Sequence, residues 1–104
     1  MISKEEIDRL RQYLKSKGVA DPNNKDLYKI NGFAVSIDTA YQTGVVFVYL
    51  SRDNWAIACT ENMARNTANP HMIDKLDYDG LMRLIEGGEM AFNNMETERV
   101  LDEL

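Results

Sequence analysis

Asp77, Asp79 and Glu86 are spaced as three oxygen ligands of a calcium-binding loop. With Gly80 at the sixth position, where such a loop turns sharply, Asp77 and Asp79 fall at the third and fifth and Glu86 at the twelfth. The first position is then Lys75, which has no oxygen to give and brings a cation into the cage; Asp74 is one residue out of register. Pro70 sits where the entering helix should be well formed. The same carboxylates have a simpler use near the free amides of a helix start, where negative charge is stabilised. Asp77 or Asp79 is therefore read as a helix cap, and no metal ligand is assigned.

Other chemistry has less to work with. His71 is the single imidazole and Cys59 the single thiol. A zinc site would have to join the two to carboxylates, without any paired Cys or His motif. Cys59 lies among Trp55 and Ile57 and reads as a small buried hydrophobe. Asp38, Asp53 and Glu61 lie near the ends of expected strands and could converge on a metal, but no spacing separates them from a solvated rim. No glycine loop with Lys-Ser or Lys-Thr is present to cradle a phosphate. No catalytic residue and no cofactor is assigned.

Charge is more informative. Residues 53–104 carry eleven acidic and four basic side chains, a formal −7, while residues 1–52 carry six and eight, a formal +2. A field of that sign repels nucleic acid and anionic membrane and favours a basic partner. The longest strongly apolar run, Val45 to Leu50, is six residues, against about 20 for a membrane span. One cysteine excludes an internal disulfide. A soluble, cytoplasmic setting is the expectation.

The elements that must position these residues follow from periodicity. Ser3-Lys4-Glu5-Glu6 has capping-box spacing, and Ile7, Leu10 and Leu14 share one face of a helix over 4–17 that Gly18 stops. Asp21-Pro22-Asn23-Asn24 reads as a loop. Residues 33–38, 45–50 and 55–60 read as three antiparallel strands with 45–50 in the middle. The second face of that sheet is too apolar to be freely solvated, so the C-terminal helices or a second subunit should cover part of it. Asn69-Pro70 opens a helix holding Met72, Ile73 and Leu76; Leu81, Leu84 and Ile85 mark the next, and Gly87-Gly88 ends or bends it. The expected fold class is α+β: an N-terminal helix, a three-stranded antiparallel sheet and two or three C-terminal helices, in a single domain over 1–104.

In topology alone this order resembles the double-stranded-RNA-binding domain. Such a domain needs a basic face where the helix after the sheet begins. This chain puts Asp74, Asp77 and Asp79 there, opposed by Lys75 alone, so RNA binding is set aside.

Binding to a protein remains. Tyr41, before Gly44, and Tyr78, between Asp77 and Asp79, are the expected aromatic anchors. Together with Asp74, Asp77, Asp79 and Glu86 they form the expected partner-binding set. The expected role is a small acidic inhibitor or regulator that imitates phosphates toward a basic protein surface. The rival is a cation-binding or hydrolytic domain built on residues 74–86. A homodimer is a further expectation, since Val100, Leu101 and Leu104 would otherwise be thinly covered.

Overall fold

Ser3 opens α1 (Lys4–Lys17) with both halves of a capping box: the Glu6 amide donates to the Ser3 hydroxyl at 3.1 Å, and the Ser3 amide to the Glu6 carboxylate at 2.9 Å. Ile7, Leu10 and Leu14 are buried along one stripe, each worth roughly 1.5–3 kcal/mol. The helix stops at Gly18 for reasons of space, because the backbone there is extended rather than left-handed. A Cβ at Gly18 would stand 3.0 Å from the Leu14 carbonyl oxygen and 3.2 Å from that of Lys29, so only glycine lets the chain turn this close to the sheet. The computed structural model describes residues 2–53, 55–61, 73 and 75–103.

The sheet has five strands, not three. β1 (Val19–Asp21), β2 (Asn24–Ile30), β3 (Phe33–Thr39), β4 (Val46–Arg52) and β5 (Trp55–Cys59) follow one another as an antiparallel meander. Asp21-Pro22-Asn23-Asn24 is a turn between two strands rather than a loop between layers; the Asn23 amide donates to the Asp21 carboxylate at 2.8 Å. Asn31 (φ 51) and Gly32 (φ 87) form the next turn, both in the left-handed region that a two-residue hairpin requires. The likeness in strand count to an RNA-binding domain disappears with this correction.

One C-terminal helical element, α2 (Tyr78–Glu103), replaces the two or three expected. Gly88 (φ 62, ψ −142) is non-helical inside it, so the Gly87-Gly88 bend is present but helix resumes beyond. The side-chain amide of Asn31 donates to the Ile85 carbonyl at 2.7 Å, fastening the β2–β3 turn to the helix just before the bend. The helix expected from Asn69-Pro70 falls mostly outside the described residues; Ile73, within its expected span, is extended instead. It bridges Ala58 in parallel, its amide donating to the Ile57 carbonyl at 3.1 Å and its carbonyl accepting from the Cys59 amide at 2.8 Å.

Both helices pack on one side of the sheet. Phe33, Val35, Val48 and Leu50 meet Leu10 and Leu14 of α1 and Leu81, Leu84 and Ile85 of α2 in one buried cluster. Between β4 and β5 the register shifts at Leu50 and Ser51, and Ala56, Ile57, Ala58 and Cys59 are all buried where simple alternation was expected. Among the described residues, no helix is long and apolar enough to cross a membrane.

Candidate functional site

Asp77 is the N-cap of α2. Its carboxylate accepts from the Gly80 amide at 2.7 Å, and its carbonyl accepts from the Leu81 amide at 2.9 Å. Gly80 suits this tight start, since a Cβ would come within 2.8 Å of a Leu76 methyl. Helix therefore runs from Tyr78 through Glu86, the stretch that a calcium loop would need for wrapping a cation. Asp79 and Glu86 lie seven residues apart, about 10.5 Å along the axis, and do not close on Asp77. Among the described residues, no three His, Cys, Asp or Glu side chains are placed to hold a metal ion.

What α2 does present is a set of outward carboxylates on a fixed support. Asp77, Asp79 and Glu86 are exposed, while Leu81, Leu84 and Ile85 on the other side are fully buried. Arg83 is exposed as well and lies between Asp79 and Glu86 on the same stripe, four residues after one and three before the other. The face is thus an alternation of charge, not a uniform acidic patch. Helical spacing in the sequence was enough to place Arg83 there, although the partner-binding set omits it.

The two tyrosines have different surroundings. Tyr78 is half-buried against the core, with the Arg9 guanidinium 5.2 Å from its ring centroid. An α1 cation thus stands over the ring expected to anchor a partner. Tyr41 is 98% exposed. Its loop is held by the Ala40 amide donating to the Val45 carbonyl at 2.8 Å and the Gly44 amide donating to the Ala40 carbonyl at 3.0 Å. Among the described residues, no hydrogen bond, ion pair or ring contact joins Tyr41 to residues 77–86. Asp74, the remaining member of the set, lies outside the described residues, as does His71.

Other candidates separate. Asp38 stands opposite Phe47 in the β3–β4 ladder, whereas Asp53 follows the far end of β4, about 20 Å away at strand spacing. Cys59 is buried, as a small hydrophobe should be. The diffuse acidic stretch of α2 is partly neutralised: the Arg52 guanidinium lies 3.5 Å from the Glu89 carboxylate and 4.6 Å from the Phe92 ring centroid. The sequence carries no local signal for that contact. A cleft of about 600 Å³ between α1 and the β1–β2 hairpin mixes Arg11, Lys15 and Lys25 with Asp21 and Asp26, the Arg11–Asp26 pair being 3.6 Å apart. Because the helix also turns its negative end toward this cleft, it favours neither sign of ligand. Compared with protein-family models, curated proteins and solved structures, the chain matches none.

Proposed function

We propose that this chain is a small acidic protein-binding module, an inhibitor or regulator that sets carboxylates and a tyrosine against a basic surface of a partner protein. The observation that carries the reading is the first part of α2, where Asp77, Asp79 and Glu86 are exposed on a helix whose opposite side is locked into the core. A rigid helix loses little backbone entropy when it is bound, so only the carboxylate side chains remain to be ordered at contact. Arg83 sets a condition on the partner: its cations must straddle a guanidinium rather than cover one continuous anion. Tyr41, on its own loop at the other end of β3 from the turn bonded to Ile85, would add a separate amphipathic contact.

The test is affinity capture with the intact chain, identification of the retained protein, and calorimetric titration of that protein. Wild type is compared with an Asp77→Asn/Asp79→Asn/Glu86→Gln variant, since Asn keeps the helix cap while removing its charge. The expected result is at least about a tenfold loss of affinity, with wild-type binding itself falling as salt rises. A partner that binds both proteins equally would remove this face as the cause. Tyr41→Ala, titrated separately, should cost about 1 kcal/mol or more if the ring is an anchor.

A further inference from the structure

Both helices lie on one side of the sheet, and among the described residues no element covers the other side over β2, β3 and β4. Register arranges the side chains there in rows across the strands: Lys29 and Ala34 in one, Leu27, Ser36 and Tyr49 in the next, Asp38 and Phe47 in the third. An antiparallel sheet that faces water on one side normally alternates apolar inward and polar outward. Here Leu27, Ala34, Phe47 and Tyr49 point outward and are partly exposed, outside the cluster shared by the helices. Toward β5 the face closes, since Ala56 and Cys59 are buried.

We propose that this open face is the interface of a two-fold homodimer. Lys29 and Asp38 are exposed, and among the described residues neither forms an ion pair within its own subunit. They sit on adjacent strands in the two outer rows, about 14 Å apart at ordinary strand spacings. A two-fold axis in the plane of the face, bisecting the line between them, sets Lys29 of one copy against Asp38 of the other, twice. The same rotation sets the Phe47 ring against the small Ala34. Leu27 and Ser36, close to the axis, meet their own counterparts. Such self-complementarity, in which one residue meets a second and the second meets the first, is what an isologous interface requires.

Net charge favours the same occupant. The chain carries −5, which opposes self-association over most of its surface. On this face Lys29 and Asp38 cancel, with Lys25 at the margin. Area then sets the strength: three strands by about five residues cover roughly 250 Å² in projection, below the ~800 Å² per partner of a standard interface. The dimer is concentration-dependent, not obligate.

Sedimentation equilibrium from about 10 µM to 1 mM, a range suited to weak association, tests this on the intact chain. Wild type should shift from monomer toward dimer. Lys29→Glu alone and Asp38→Lys alone should each associate at least about tenfold more weakly, with unchanged far-UV spectra. An equimolar mixture of the two should recover the wild-type dimer, because the introduced carboxylate then faces the introduced ammonium and the native pair is kept. Wild type remaining monomeric throughout, single variants associating like wild type, or a mixture that stays monomeric would each overturn the proposal. None of these outcomes depends on Asp77, Asp79 or Glu86.

Discussion

Asp77 shows how one side chain limits what its neighbours can do. Its carboxylate is committed to the Gly80 amide, so its first role is to hold the start of α2. Asp77→Ala should lower stability by about 1 kcal/mol in urea unfolding, while Asp77→Asn should leave it nearly unchanged. Asn31 is a similar case at longer range. Asn31→Ala removes the 2.7 Å bond to the Ile85 carbonyl and a residue type suited to φ 51, with an expected cost of about 1–2 kcal/mol. Tyr49, on the outer face, has its phenol pushed up from the ordinary value of 10.0 by burial first, then by Cys59 and Asp38. The folded chain then keeps a proton that the unfolded chain releases as pH rises past the ordinary value. Stability is unaffected below that point and falls as pH climbs toward the higher folded value. Ultraviolet titration of tyrosinate should show a late-ionising ring that is lost in Tyr49→Phe.

Gly88 decides whether α2 can serve the core on both sides of its bend. With φ 62 and ψ −142 it occupies a region that side chains rarely enter, and a Cβ would meet the Asn31 carbonyl oxygen at 3.4 Å. Gly88→Ala should therefore cost about 1–3 kcal/mol, seen as a lower urea midpoint at unchanged slope. The bend was legible from Gly87-Gly88, as was the return of helical periodicity after it; that Phe92 and Met95 reach the same core as Leu84 was not, because it depends on packing across the fold. The α1 cap and stripe were fully legible, being local. β3, β4 and β5 were legible as elements from their apolar runs, though neither the register shift nor the burial of both faces of β5 was. β1 and β2 were missed because Lys25, Asp26 and Lys29 break the apolar alternation, leaving Tyr28 and Ile30 as the fully buried contacts of β2. Asn31-Gly32 was the available clue. In the candidate site, the outward carboxylates followed from helical phase, whereas Arg9 over Tyr78 joins the two helices across the fold and leaves no trace in spacing.

On the scale of the molecule, charge and shape divide the surface between the two proposed uses. The carboxylates of α2 lie on a helix packed against one side of the sheet, and the near-neutral rows of β2, β3 and β4 form the other. Each can be altered without touching the other, so partner affinity and self-association should respond to separate substitutions. The bridge from Ile73 to β5 bears on what self-association can become. It occupies backbone groups along that edge, while the opposite edge strand, β1, is three residues long, shifts register between Ala20 and Asp21, and runs into Pro22. A sheet grows into a fibre by adding strands sideways, and both sides here are blunted. The proposed face-to-face pair would find no straight ladder to extend, so assembly through the sheet would be finite and stop at two.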